Sequence, residues 1–509
     1  MSGNSDHHLG LATMTNGLVA QATPVAYQFR SGLLSAYRLA IANAVFFFLF
    51  SLANIILNPV PISVQCAVAD VFLFGSIFCF YQLYTEGGGF SAISIFILSS
   101  GIIFGFGTAY STIAEGYVFE LLFNESAQSR NLPTINLMNS LSVMIVLIVA
   151  LPVSKMTNRP LPPLKLRRFF ILLQPFNGPL LVFSAFIVAI TYLTFPVSEN
   201  LVLRGVLDKL AVLPSLAILI CFAGWSKLPI IQKSFAILIA VAAIIMGILA
   251  ASKTAMMIPF VAVAGGLYLH DYRKVSIAFV AVTAILYFLF LAPVATQMRS
   301  QPQYDPITNT PLQRLAIFDE TVRNIDGLEL NSGDGQKTEN LLYRFVHGST
   351  QSFLIDEWQN GRPGDSLADS WTALVPRVLW PDKPIITRFG PELYLKIYVG
   401  TEGGSAQAPT YTGEAFWNYG WLGVIAISIL LGIELGWFTR KWLEFIYDPE
   451  SGPGILVYCV PVALFAFSIE SWIAATYIGG FITLAILIQV TNLILPYFLR
   501  GKTGGFDCG

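Results

Sequence analysis

The side chains best suited to chemistry lie close together in ALVPRVLWPDKPIITRFGPELYLK and, shortly after it, APTYTGEAFWNYGWLG. Arg377, Lys383 and Arg388 concentrate positive charge in a stretch broken by Pro376, Pro381 and Pro384, which cannot form one long helix. Fixed turns carrying guanidinium groups suit a multivalent anion, because one guanidinium holds two phosphoryl oxygens at once. An interfacial salt-bridge cluster accounts for the same residues. Tyr411, Glu414, Trp417, Asn418 and Tyr419 then combine flat aromatic faces with acceptors for hydroxyl groups, the two things a sugar surface needs. An aromatic belt at a lipid interface asks for the same aromatics. The acid–base candidates are His347, Asp356, Glu357, Asp382, Glu392 and Glu414, and His347 has the most suitable intrinsic pKa. Three further cationic stretches stand apart: Arg204 with Lys209 and Asp208 in SENLVLRGVLDKL, Lys253 in GILAASKTAMM, and Arg344 in LLYRFVHGSTQSFLIDEW. Lys253 reads either as a snorkelling cation or as part of a pyrophosphate site at a polar opening between helices. No HExxH spacing and no Gly-rich phosphate loop after a strand occurs, so neither a metal centre nor a soluble nucleotide fold is expected, and no cofactor is called for.

The elements that must position these groups are set by composition. Of 509 residues, 55% are hydrophobic and only 12% charged, which does not describe a water-exposed surface. Nearly uncharged runs of helix-spanning length recur, and they lack the dyad alternation of a membrane β-barrel. The expectation is an all-α polytopic membrane protein with about twelve spans: roughly 39–58, 62–83, 90–112, 131–153, 176–195, 210–225, 234–252, 255–269, 275–295, 421–439, 453–471 and 474–498. The eighth is short for a full crossing. The net charge of −1 offers no basic stripe for nucleic acid. The five cysteines, four of them inside apolar runs, form neither a disulfide framework nor a zinc set.

Charge sets the sidedness. With the N terminus inside, the inner segments hold fifteen Lys and Arg, among them Lys155 to Arg168 and Arg273–Lys274, whereas the short outer segments hold four: Arg130, Arg204, Lys209 and Lys253. The chain divides into a cytoplasmic tail (1–36), nine transmembrane helices (37–295), a large partly helical outer loop (296–420), three more helices (421–498) and a second cytoplasmic tail (499–509). His347 is then the only histidine outside the cytoplasmic regions. LLYRFVHGSTQSFLIDEW around it places Leu342, Phe345, Val346 and Phe353 at spacings suited to an amphipathic or interfacial helix. A loop this long is expected to carry function, here by capping the membrane helices and completing a substrate pocket.

VPRVLWPDKP at 375–384, PTYTGEAFWNYGWLGV at 409–424, the long outer loop and the SKT between the closely spaced seventh and eighth spans together resemble the bacterial O-antigen and related oligosaccharide repeat-unit polymerases, the Wzy-like group. The resemblance covers roughly residues 200–440. It implies a GT-C-like glycosyltransferase in the bacterial inner membrane, with both termini cytoplasmic. The substrate it implies is an undecaprenyl-diphosphate-linked oligosaccharide, handled at the periplasmic face among membrane lipid. Flippase and chain-length-control proteins are the partners it implies. The growing glycan passes from one lipid diphosphate to the distal hydroxyl of another lipid-linked repeat unit. By position, Arg377 and Arg388 take the diphosphate, with Arg204, Lys253, Arg344 and Lys383 as further contacts and Tyr411, Trp417 and Asn418 toward the sugar. Lys253 stands where such proteins more often carry Arg, keeping the charge but losing the bidentate fork. Glu414 is the first choice for orienting or deprotonating the acceptor hydroxyl and His347 the second; direct displacement inverts the anomeric configuration. Two alternatives stay open. A polymer ligase shares the donor site and carries a histidine in its large outer loop; a secondary or lipid-linked-saccharide transporter should show broken helices in two related halves.

Overall fold

The computed structural model describes residues 9–57, 60–107, 125–155, 163–193, 210, 212–301, 303–304, 309–324, 347–375, 379–380, 383–384, 389–390, 393, 408–449 and 452–500. Among these there is no strand; the fold is a bundle of helices, as the apolar runs require. In chain order they are α1 (Leu9–Ile56), α2 (Ile62–Leu83), α3 (Ala92–Ser100), α4 (Glu125–Ser154), α5 (Pro163–Leu193), α6 (Val212–Ala223), α7 (Ile230–Leu249), α8 (Lys253–Leu269), α9 (Arg273–Leu286), α10 (Ala292–Ser300), α11 (Pro311–Asn324), α12 (Gly348–Gln359), α13 (Tyr411–Tyr447), α14 (Gly454–Phe467) and α15 (Ile482–Arg500). Four π-helical stretches interrupt or extend them, at Tyr84–Gly88, Gly101–Phe106, Tyr287–Leu291 and Ala474–Phe481.

Seven of the described helical stretches are long and apolar enough to cross a membrane, from Leu33–Ile56 in α1 to Ala474–Leu495. Four more are apolar but shorter: Ala92–Phe106, Val212–Ala223, Thr254–Leu269 and Gly454–Phe467. Apolar side chains cannot drive helices together in lipid as they do in water, so close packing and polar contacts take over. Gly432 and Gly436 lie one turn apart on α13 and let it press against α4: a Cβ at Gly436 would sit 2.8 Å from the Ala150 carbonyl oxygen. Gly101 and Gly105 do the same against α2. Tyr37 of α1 donates to the Leu147 carbonyl of α4 at 2.7 Å.

Contacts between helix ends separate the bundle into two poles. At one, Gly89 N–H donates to Tyr268 Oη at 3.1 Å, His270 Nδ1 meets the Ala223 carbonyl at 2.7 Å, and the Arg273 guanidinium donates to the Thr85 carbonyl. The foot of α13 joins this pole through Thr439, whose hydroxyl accepts from Ile93 N–H at 3.1 Å. Arg440 and Lys441 stand beside it, both paired with Glu444. At the other pole the head of α13 meets α4, α12 and the chain between α14 and Ala474–Phe481.

Among the described residues the 296–420 stretch is partly helical, in the end of α10 and in α11 and α12. α12 buries Thr350, Gln351, Leu354 and Ile355 against α4 and α13, so this amphipathic helix docks on protein. α13 starts at Tyr411, where Thr410 caps it by accepting from Gly413 N–H at 3.1 Å. It then breaks at Gly420, whose φ of 60° and ψ of −147° belong to glycine alone. The short leg before the break carries the aromatic and acidic residues singled out above.

Candidate functional site

Three elements converge at the second pole because each brings a polar residue that must find a partner when buried. Gln351 of α12 donates to Asn139 Oδ1 (2.9 Å), Thr410 Oγ1 (2.7 Å) and Thr412 Oγ1 (3.0 Å). Asn139 of α4 returns a hydrogen bond to Gln351 Oε1 at 3.2 Å, and Thr412 donates to Asn139 Oδ1 at 2.8 Å. About two turns closer to the start of α4, Asn131 donates to Ser352 Oγ and Asp356 Oδ1, each at 2.9 Å. A fully paired network of this kind fixes the angle between helices.

Beside the network lies a small pocket of about 10 Å³, lined by Ile103, Phe104 and Gly107 from the end of the α3 segment, Leu132, Ile135 and Asn139 from α4, and His347, Gly348 and Gln351; it has room for about one water molecule. His347 Nε2 is 2.9 Å from Glu470 Oε2, and the imidazole is 10% exposed. Its Nδ1 is buried with no hydrogen-bond partner among the described residues. A carboxylate can only accept, so a neutral ring donates through Nε2–H to Glu470 and keeps its lone pair on Nδ1. Glu470, half exposed, sits in the turn between α14 and Ala474–Phe481. The pair has the make-up of a general base: a ring that takes a proton and a carboxylate that steadies the resulting charge.

The predicted residues divide. Glu414 is fully buried; its Oε1 accepts from Ser366 Oγ at 2.7 Å and its Oε2 from Ile473 N–H at 2.6 Å. Asn418 extends the same seam, donating to Ser366 Oγ (2.9 Å) and accepting from Leu367 N–H (3.2 Å). These contacts strap the 364–374 segment across the head of α13, and neither residue lines the pocket. Trp417 packs with Leu354, Leu393 and Trp472 below the strap. Tyr411 exchanges a hydrogen bond with Ser142 Oγ at 2.7 Å, and its ring lies 6.2 Å from Phe104, one of the pocket walls. Lys383 turns inward, its Nζ donating to the Thr372 and Val375 carbonyls at 3.1 and 2.7 Å, where it caps the turn Ser370–Leu374. Lys253 opens α8; its side chain lies outside what the structure describes. The Arg299 guanidinium donates to the Ala251 carbonyl in the tight turn before it, adding a cation at that opening. Arg204, Arg344, Arg377 and Arg388 lie outside the described residues.

Glu470, Asn139 and Gln351 were not among the residues singled out from the sequence. Glu470 sits in SIESW, at the end of the stretch read as the eleventh span, and an acidic residue there is the signal that points to it. Asn139, in LMNSLS within the fourth span, carries a weaker form of the same signal. Compared with known protein families, curated proteins and solved structures, the chain matches none.

Proposed function

We propose that this chain is a membrane glycosyltransferase of the polysaccharide-polymerase type, crossing the bilayer twelve times with both termini cytoplasmic. The observation that carries the reading is the His347–Glu470 pair in a pocket walled by amide side chains at the outer helix ends. The two poles support the twelve crossings: basic residues Arg273, Arg440 and Lys441 gather at one, the loop helices and the pocket at the other.

In this reading the donor's anomeric C–O bond breaks as negative charge grows on a lipid diphosphate. Cations of the outer segments, Arg377 and Arg388 first among them, stabilise that charge more in the transition state than in the ground state. His347 Nδ1 takes the proton from the acceptor hydroxyl, and Glu470 stabilises the imidazolium. Glu414, whose two oxygens are engaged by Ser366 and Ile473, positions the strap and the turn that carries Glu470. Direct displacement inverts the anomeric centre and needs no cofactor.

The test is incubation of purified protein with undecaprenyl-diphosphate-linked repeat units in detergent and EDTA, followed by mass analysis of the lipid-linked products. A ladder rising by whole repeat masses, lost in His347→Ala, is the expected result. Unchanged substrate in the presence and absence of metal, with demonstrated binding, refutes it. One observation favours a second reading, the polymer ligase: a loop histidine that lines the pocket. Transfer to a lipid A-core acceptor, with no ladder on repeat units alone, is the outcome that selects it.

A further inference from the structure

A second acidic residue lies far from this pocket, within the membrane-crossing part of α13. Glu434 stands between Gly432 and Gly436, which press against α4 at Val146 and Ala150. Two residues turn a helix by about 200°, so Glu434 faces away from α4. Phe438, one turn further along the same face, packs on Phe481 with ring centroids 4.9 Å apart, and Tyr477 lies within electrostatic reach of the Glu434 carboxyl. The carboxyl therefore faces the π-helical stretch Ala474–Phe481, a geometry that recurs at functional sites.

Glu434 is 9% exposed, and neither carboxyl oxygen has a hydrogen-bond partner among the described residues. The nearest cations along α13, Arg440 and Lys441, are both committed to Glu444 at 2.8 and 2.7 Å. Arg440 is also about 9 Å further along the axis, at 1.5 Å per residue. Among the described residues, the elements packed on α13 bring no compensating charge to its middle. α3 contributes no titratable residue, α14 contributes Tyr458 and Cys459, and the π-helical stretch contributes Tyr477; the charged residues of α4, α5 and α12 sit toward those helices' ends. An ionisable residue inside the bilayer that packing does not require marks function by default.

We propose that Glu434 is a proton-binding site within the membrane-spanning bundle, and that gain and loss of its proton alter how α13 packs on Ala474–Phe481. That stretch begins directly after Glu470 and Ile473, the partners of His347 and Glu414. Proton occupancy in the bilayer thereby reaches the second pole through one continuous segment.

The reagent that tests this is dicyclohexylcarbodiimide, an apolar compound that attacks carboxylic acids but not carboxylates. The acid's proton passes to one carbodiimide nitrogen while its oxygen bonds the central carbon; the acyl group then shifts to nitrogen as a stable N-acylurea, with nothing lost. Full-length protein is treated in membranes across a pH series and the adduct located by peptide mass analysis. In parallel, infrared spectra are taken of wild type and Glu434→Gln. The expected result is an adduct on Glu434 that diminishes as pH rises, resistance to a water-soluble carbodiimide, and an acid carbonyl band absent from Glu434→Gln. Absence of an adduct on Glu434 at every pH overturns the proposal, and so does equal modification by the water-soluble reagent. Wild-type mapping and spectra stand without the variant if it does not fold, and both readouts are independent of glycosyl transfer.

Discussion

The sequence puts Glu414 ahead of His347 as the group that handles the acceptor hydroxyl, and their surroundings reverse that order. His347 lines the pocket with Nδ1 free of partners among the described residues, so His347→Ala is expected to lower kcat by about 10²–10⁴-fold, the range for loss of a general base, while thermal unfolding shifts little. Glu470→Gln preserves the hydrogen bond but not the charge behind the imidazolium, so kcat falls with KM nearly unchanged; steady-state assay of lipid-linked products reads both. Glu414→Gln fails differently. Its new amide group is set against either Ile473 N–H or the Ser366 hydroxyl, and against Ile473 it brings two donors together inside the protein. The expected cost is about 1–3 kcal/mol, seen as a lower Tm. The sequence offered Glu414 as an acid–base candidate because nothing local shows its two partners, which come from 48 and 59 residues away. The same distance hid Glu470, whose value rests on a histidine 123 residues earlier.

Helices were the most legible level, since an uncharged apolar run has few alternatives to a membrane-crossing helix. The positions of α2, α4, α7, α8 and the Leu33–Ile56 part of α1 follow from hydropathy and from breakers such as Pro61 and Pro229, whereas the helical start of α1 at Leu9 falls in the stretch read as a tail. The interruptions were not legible. Ala474–Phe481 contains no proline, and its π-helical register arises where α13, α14 and the Ser370–Leu374 turn pack around it. The break at Gly420 is equally tertiary, since the Trp358 ring would lie 2.8 Å from any Cβ placed there. Gly420→Ala combines that clash with a glycine-only backbone conformation. It is expected to cost about 1–3 kcal/mol and to separate the strap from the pocket wall. Gly436→Val tests the other contact of α13. Its added bulk is driven into the Ala150 carbonyl and should lower Tm by an amount fitting about 1–3 kcal/mol of overpacking, without touching the head of the helix. A change in kcat that exceeds the loss of folded protein would show that the α4–α13 seam also sets the geometry of the pocket.

At the scale of the whole chain, everything proposed for the pocket depends on its facing the side where lipid-linked glycans are presented, and that depends on parity. Among the described residues, seven helices are long and apolar enough to cross a membrane, and four more are apolar but a few residues shorter. α8, with 17 residues and a length of about 25 Å, is the decisive one. It forms a tight hairpin with α7, Gly247 lying against the backbone of Met256, and the Arg299 guanidinium closes the turn between them. Pairing along its length with α6 and α7 supports a complete crossing. If α8 turned back instead, α12 and the pocket would lie on the same side as the Trp225–Lys227 turn. Ser226 in that turn and Gln359 at the end of α12 are both exposed, so single cysteines there distinguish the cases. In a background with Cys66, Cys79, Cys221, Cys459 and Cys508 replaced, a membrane-impermeant maleimide should label Gln359→Cys in intact cells. Ser226→Cys should label only after the membrane is opened. Labelling of both only after the membrane is opened would remove one crossing between them and place His347 in the cytoplasm, on the side opposite to the one the proposed reaction needs.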